Sequence, residues 1–168
     1  IRQIIDEFGP VKNYICTHGE MDHIAHLYVW EDSGAEVYAP FPESNYLTDL
    51  NQFYLGFGFN DVMEYSSIQR FARMNGYHEC KWVRAFKPGD RLKIENLEME
   101  TMLYKGHSRA SVGVLLEKEK ILHIGNLGFD RPSPGADGTG PFYGYRQCSL
   151  NRYYRDIDNA RSVYTDRA

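Results

Sequence analysis

The start of the chain predicts a helix, a strand, a polar turn and a second helix. Residues 1–8 repeat apolar side chains at helical spacing, and Gly9-Pro10 ends that helix. Residues 11–16 form an apolar run typical of a buried strand, whereas residues 17–23 are polar. Because apolar positions at helical spacing resume over residues 24–29, the polar segment is predicted to be the turn between strand and helix.

The middle of the chain predicts one short strand followed by two helices. Residues 36–39 form the strand, which Pro40 ends. Residues 47–55 and 68–74 have the composition and spacing of helices, and a segment that contains glycine separates them. These elements continue the alternation of strand and helix begun in the first part of the chain.

From residue 82 the apolar spacing changes from the helical period to the period of two that marks a strand. Residues 82–86 and, after the turn at Pro88-Gly89-Asp90, residues 92–103 alternate apolar and charged side chains. This alternation predicts an antiparallel meander with one solvated face. Residues 111–116 and 121–124 predict a hairpin whose two strands are apolar enough to be buried.

The end of the chain predicts a loop and a closing helix. Residues 131–145 are rich in glycine and proline, which predicts a long loop, and residues 150–163 read as a helix. A chain of 168 residues is long enough for one domain with a core and short for two. We therefore expect a single α/β (α+β) domain over residues 1–168.

Composition and charge exclude several classes of partner. The formal charge of −4 comes from 23 acidic and 19 basic residues without a basic stripe, which argues against nucleic acid and favours a small-molecule substrate. No apolar run approaches the roughly 20 residues that cross a bilayer, and residues 1–8 carry charges, so neither a membrane span nor a signal peptide is predicted. The three cysteines form no Cys-x-x-Cys pair, which favours a reducing, cytoplasmic location.

The segment Thr-His-Gly-Glu-Met-Asp-His, residues 17–23, concentrates potential metal ligands directly after a predicted strand. His18, Glu20, Asp22 and His23 place four such side chains in six residues. A turn at the end of a strand can aim several side chains at one point, and imidazole with carboxylate is the ligand set of zinc, iron and manganese. The alternative is an ordinary solvated polar loop, since all three residue types are common in loops.

Two later segments place further polar residues beside the predicted hairpin. His107 lies between Gly106 and Ser108 before the hairpin, and Asn126 follows Gly125 after it. Both positions mark the same predicted edge of the sheet. They therefore strengthen the metal-site interpretation over the solvated loop.

With these segments the sequence resembles the metallo-β-lactamase superfamily. The signature of that family is Thr-His-x-His-x-Asp-His after a strand, a later Gly-His-Ser/Thr, and Gly-Asp after a further strand. The matching segments, in the same order, are Thr17-His18, Asp22-His23-Ile24-Ala25, Pro88-Gly89-Asp90, Gly106-His107-Ser108 and Ile121-Leu122-His123-Ile124-Gly125. The resemblance implies an αββα sandwich with two metal ions at one edge, present here in part.

The resemblance also implies a site, carried over position by position. Its ligand sets are His18, Glu20 and His107 for a first metal, and Asp22 and His23 for a second, with residue 126 as the bridge. Asp22 would in addition orient the attacking water, which makes it the implied catalytic residue. The implied cofactor is one or two divalent metal ions, with zinc as the first choice and iron or manganese as alternatives.

Two positions depart from the pattern of the hydrolases in this family. Glu20 stands where most of them have a second histidine, and Asn126 stands where they have the bridging aspartate. A neutral amide is a poor bridge between two cations, so Asn126 should weaken the second site unless Asp130, four residues further on, supplies the carboxylate. We therefore expect a tightly bound first metal and a weakly bound second one.

Three functions follow from this pattern. The first is a hydrolase that uses a metal-activated water on an ester, thioester, lactone or phosphodiester. The second is a non-heme di-iron oxidoreductase or oxygen-binding protein, because His-x-Glu-x-Asp-His is also the motif of flavodiiron proteins. The third is a catalytically weak metal-binding relative, suggested by Asn126.

Relative to the family, the chain lacks the strands that precede the first helix and the final histidine. We therefore expect it to be incomplete at both ends. A homo-oligomer is left open.

Overall fold

Two sheets organise the described part of the chain, which is residues 1–128 and 148–167 of a computed structural model. A three-stranded sheet belongs to a first unit, Ile1–Lys87, and a four-stranded sheet belongs to a second unit, Pro88–Ala168. The mixture of helices and two sheets confirms the predicted α/β (α+β) class. That residues 1–168 form a single domain stays a prediction.

The element bounds follow the predicted order closely. The described helices are α1 (Arg2–Phe8), α2 (Met21–Ile24), α3 (Leu27–Asp32), α4 (Leu50–Gly56), α5 (Tyr65–Met74) and α6 (Leu150–Arg167), with short 3₁₀ helices at Glu43–Leu47 and Phe59–Asp61. The strands are β1 (Asn13–Ile15), β2 (Glu36–Pro40), β3 (Arg84–Phe86), β4 (Arg91–Ile94), β5 (Leu97–Leu103), β6 (Val112–Leu116) and β7 (Ile121–His123). The loop predicted over residues 131–145 lies outside the described residues. Among the helices described, none has both the length and the apolar character to cross a membrane.

In the first unit the sheet is parallel, with the order β1-β2-β3. Parallel neighbours require crossover connections, and the helices α2 and α3 connect β1 to β2, while α4 and α5 lie between β2 and β3 in the chain. The central strand β2 is the most buried of the three, with Val37 and Ala39 almost inaccessible to solvent. Strand β1 is therefore an edge strand, and its one neighbour, β2, is buried.

The prediction that residues 82–86 begin the antiparallel meander is wrong. Strand β3 pairs in parallel with β2, and Tyr38 lies opposite Arg84. Alternation of apolar and polar residues reports which face of a strand is solvated, and it carries no information about the neighbouring strand. The meander proper starts only after the turn at Pro88-Gly89-Asp90.

The polar turn after β1 is shorter than predicted, because helix α2 already begins at Met21. Met21 is buried and lies three and four residues before the buried Ile24 and Ala25, so the helical pattern starts inside the segment read as a turn. Asp22 and His23 are consequently helical residues. Glu20, in extended conformation, is the last residue before the helix.

In the second unit the four strands are antiparallel and follow one another in chain order. The predicted hairpin of β6 and β7 is confirmed, and Val114 lies opposite His123. Burial of both strands is wrong for β7, where Ile121 is 52% exposed. Strand β7 is an edge strand with a single neighbour, whereas its hairpin partner β6 has a neighbour on each side.

Helix α6 forms much of the core of the second unit and confirms the predicted closing helix, which extends to Arg167. Its buried residues Tyr153, Ile157 and Ala160 pack with Tyr104 and Leu127. Tyr104 and Tyr153 are completely buried, which places two large rings in one small core.

Candidate metal centre

The turn after β1 is held in place by the backbone and side chain of Cys16. Its N–H donates to the carbonyl of Tyr38 at 2.8 Å, and its thiol donates to the carbonyl of His18 at 2.9 Å. Burial raises the pKa of the Cys16 thiol to about 12, so the thiol keeps the proton that it donates. Cys16 is thus a hydrogen-bonded residue of the core, and it supplies no thiolate ligand near neutral pH.

His18 and Glu20 form a buried pair at the end of this turn. The His18 side chain is fully buried, with Nδ1 2.9 Å from Thr17 Oγ1 and Nε2 3.0 Å from Glu20 Oε2. A partner on Nδ1 orients the ring so that Nε2 points toward the carboxylate, as outer partners do for histidines that bind metals. The side chain of Glu20 is only 5% exposed.

Asp22 and His23 come from the first turn of α2 and lie on the solvent side of this pair. The ring centroids of His18 and His23 are 4.2 Å apart, and His23 Nε2 is 3.6 Å from Asp22 Oδ2. One ligand atom each from Glu20, Asp22 and His23 lies within 4.8 Å of the others. The Asp22 side chain is 75% exposed and that of His23 36%, so this side of the group is open to solvent.

The donor set of these four residues fits a divalent cation. Two imidazoles and two carboxylates are the ligand types that zinc, iron and manganese share. The carboxylates of Glu20 and Asp22 lie within 4.8 Å of each other, where their like charges repel, and a cation would remove that repulsion. The structure therefore brings together four predicted ligands, His18, Glu20, Asp22 and His23, inside the first unit.

The remaining predicted ligands follow strands of the second unit. His107 is fully buried in the turn between β5 and β6, where its carbonyl accepts a hydrogen bond from the Cys148 thiol at 2.6 Å. Asn126 follows β7, and its carbonyl accepts from the Tyr153 hydroxyl at 2.9 Å. Asp130 lies outside the described residues. The metal roles of all the predicted ligands stay predictions.

Helix α6 anchors both of these loops, a role that sequence reasoning missed. Asp156 accepts the Gly106 N–H at 2.7 Å, directly before His107. The Tyr153 hydroxyl, besides donating to Asn126, accepts the Gly128 N–H at 2.8 Å. No local signal could have pointed to these residues, because Asp156 lies 50 positions from its partner in the chain.

Asp156 also makes a testable contribution to the dependence of stability on pH. Burial raises the pKa of its carboxyl above the ordinary value of 3.8, and the bond from Gly106 opposes this only in part. A raised pKa in the folded state means stability that is fully present below 3.8 and lost as the pH rises through the folded pKa. Asp156→Asn keeps an acceptor for Gly106 and should remove this loss, so that its stability exceeds that of the parent at neutral pH.

Urea unfolding between pH 4 and pH 8 measures this effect. Asp156→Ala should instead lose about 1–3 kcal/mol, because the Gly106 N–H is left without its acceptor. Asp158→Asn, an exposed change on the same helix, is the control and should leave the profile unchanged. Parallel pH profiles for the parent and Asp156→Asn would contradict the assignment.

The fold of the chain matches that of solved metallo-β-lactamases. A metallo-beta-lactamase family protein from Thermus thermophilus aligns with a TM-score of 0.65 and 18% identity, over 94% of this chain and 54% of that one. The metallo-beta-lactamase from Pontibacter korlensis gives 0.62 and 18% identity, over 99% and 63%. The BLEG-1 B3 metallo-beta-lactamase gives 0.67 and 18% identity, over 94% and 66%.

These similarities confirm the metallo-β-lactamase fold predicted from the motifs. The chain spans less than two thirds of the length of each of these three structures. No protein-family model and no curated protein matches the sequence.

Proposed function

We propose that the chain belongs to a metal-dependent hydrolase whose metal ligands include His18, Glu20, Asp22 and His23. The observation that carries this proposal is the arrangement of a buried His18–Glu20 pair beside the exposed Asp22 and the partly exposed His23. A catalytic metal site keeps one side open for water and substrate, whereas a structural site is closed by protein ligands. The metallo-β-lactamase fold supports the same function.

In the proposed site some residues hold the cation and another orients the attacking water. His18 and Glu20 would hold the cation on the buried side, where low polarity strengthens their interaction with a charge. A divalent cation bound there would lower the pKa of a water molecule toward neutrality. Asp22, being exposed and within 4.8 Å of the Glu20 and His23 ligand atoms, would accept a hydrogen bond from the attacking water and so act as the catalytic residue.

The proposed substrate is a small molecule with an ester, thioester, lactone or phosphodiester bond. The test is a panel of chromogenic substrates of these four classes, assayed after chelation and after Zn²⁺, Mn²⁺ or Fe²⁺ is added back. We expect turnover on at least one class that returns only with metal and that falls by about 100-fold or more in Asp22→Asn. A complete protein that shows no metal-dependent turnover on any class would refute the proposal.

A matched pair of histidine variants makes this assay specific. His23→Ala removes a proposed ligand and should abolish the metal-dependent activity. His26→Ala removes an exposed histidine three residues further on, whose ring lies against Gly76, and should leave the activity unchanged. Equal activities in the two variants would exclude His23 from the site.

A second candidate, a non-heme di-iron protein, is favoured by one observation. Glu20 is a buried carboxylate in contact with His18, at the position where most hydrolases of this fold have histidine. Two histidines with a carboxylate are a common ligand set of non-heme iron, whereas three histidines are typical of catalytic zinc. Iron at two ions per chain in the purified protein, with a near-ultraviolet band that bleaches on reduction, would favour this candidate, and zinc alone would exclude it.

A further inference from the structure

A buried carboxylate outside the ligand motif contacts the backbone of the turn that carries it. Glu43 begins the 3₁₀ helix Glu43–Leu47 after β2 and is completely shielded from solvent. Its Oε2 accepts the N–H of Gly19 at 2.7 Å. Gly19 is the residue between His18 and Glu20, so this bond holds the backbone that connects the two members of the buried pair.

The peptide unit that joins His18 to Gly19 is held from both of its polar atoms. The Cys16 thiol donates to its carbonyl oxygen at 2.9 Å, and Glu43 accepts from its N–H at 2.7 Å. A peptide plane with both groups bonded cannot rotate without breaking at least one of them. The directions in which the side chains of His18 and Glu20 leave the backbone are thereby restricted.

The absence of a side chain at Gly19 is what allows this approach. A Cβ atom there would lie 2.6 Å from Tyr46 Cδ2 and 3.1 Å from Glu43 Cβ, both closer than ordinary contacts. Tyr46 is itself buried against Phe53 and Phe57, which limits its ability to move away. The 3₁₀ helix is therefore packed directly on the backbone of the ligand turn.

We propose that Glu43 is a positioning residue that sets the geometry of His18 and Glu20 for cation binding through the N–H of Gly19. This inference rests on the proposed metal site. Glu43 acts as a hydrogen-bond acceptor at a fixed place, and its charge is secondary. Outer-shell partners of metal ligands typically contribute 10–100-fold to affinity, which gives about that loss when the acceptor is removed.

Three substitutions separate the position of the acceptor from its charge. Glu43→Gln keeps an oxygen at the same reach without the charge, Glu43→Asp keeps the charge but shortens the reach, and Glu43→Ala removes both. Affinity for Co²⁺, measured by competition with a chromophoric chelator, should stay within about threefold in Glu43→Gln. It should fall about 10-fold or more in Glu43→Asp and Glu43→Ala, with a changed Co²⁺ absorption spectrum in both.

A matched control tests whether the loss of any buried hydrogen bond near this 3₁₀ helix lowers Co²⁺ affinity in the same way. The buried Tyr77 hydroxyl donates to the carbonyl of Tyr46 at 2.7 Å, within the same 3₁₀ helix. Tyr77→Phe should lower stability while Co²⁺ affinity and spectrum stay as in the parent. A loss of affinity in Tyr77→Phe equal to that in Glu43→Ala would overturn the positioning role, and so would equal losses in Glu43→Gln and Glu43→Ala.

A measurement without metal distinguishes failure of this inference from failure of the proposed function. Hydrogen exchange of the Gly19 amide in the chelated protein should be slow in the parent and in Glu43→Gln, and faster in Glu43→Asp and Glu43→Ala. Unchanged exchange in the last two would refute the Glu43 contact regardless of metal binding. A parent protein with slow Gly19 exchange but no Co²⁺ binding would instead refute the proposed function, and with it the role of Glu43 toward a cation.

Discussion

Replacement of Glu20 by glutamine is expected to weaken the binding of Zn²⁺ by at least about 100-fold, because loss of an outer-shell partner alone typically costs 10–100-fold. Glutamine has the size of glutamate and can still hydrogen-bond His18, so the packing of the turn should survive. What the variant loses is a negative charge that is almost completely shielded from water, where its attraction for a cation is strongest. Competition with a chromophoric chelator measures the change.

The same variant distinguishes a metal centre from a simple buried ion pair. If Glu20 served only to pair with His18, its replacement would change the free energy of unfolding, and added Zn²⁺ would stabilise neither the parent nor the variant. A ligand that binds the folded state alone raises stability with its concentration, so the parent should gain thermal stability with Zn²⁺ and Glu20→Gln should not. Glu79→Gln, which alters the exposed acceptor of the Leu50 N–H in the same unit, is the control and should respond to Zn²⁺ like the parent.

Replacement of Gly106 by alanine is expected to destabilise the second unit by about 1–3 kcal/mol, the usual effect of forcing an extra group into a packed site. A Cβ atom at this position would overlap the backbone N and Cα of Tyr153 and would lie 2.7 Å from the carbonyl carbon of Arg152. Because these atoms belong to the backbone of α6, no rotation of a side chain relieves the overlap. The helix would have to shift, and it would carry Tyr153 and Asp156 away from their hydrogen bonds.

Unfolding in urea, followed by far-ultraviolet circular dichroism, measures the loss. Lys105→Ala changes the exposed residue next to Gly106 and should stay within about 0.5 kcal/mol of the parent. A Gly106→Ala variant as stable as Lys105→Ala would mean that α6 does not pack on Gly106.

Much of the secondary structure was predictable because it follows from the spacing of apolar residues along the chain. The period of two over β4 and β5 and the helical spacing of α5 and α6 gave the right element types at nearly the right places. The errors concern two features that the spacing of apolar residues did not specify, namely where a helix begins and which strands are neighbours. The start of α2 was placed too late because Met21, a buried helical residue, stands among the polar ligands, and β3 was given the wrong neighbours because alternation does not identify a partner strand.

The sequence by itself determined the candidate ligands and the order in which the motifs occur. His18, Glu20, Asp22 and His23 are close because they are neighbours on a turn and the first turn of a helix, and such proximity follows from local geometry. Sequence also marked Gly106 as part of a motif without giving the reason for a glycine.

Only the tertiary structure decided which groups hold these motifs in place. Glu43 reaches Gly19 across 24 positions of the chain, and Asp156 reaches Gly106 across 50. Contacts at such separations depend on how strands pair and helices pack, and neither partner carries a local pattern that identifies the other. The candidate ligands were therefore predictable from the sequence, whereas the carboxylates that accept the backbone N–H groups of Gly19 and Gly106, and the packing that requires Gly106, became apparent only in the folded chain.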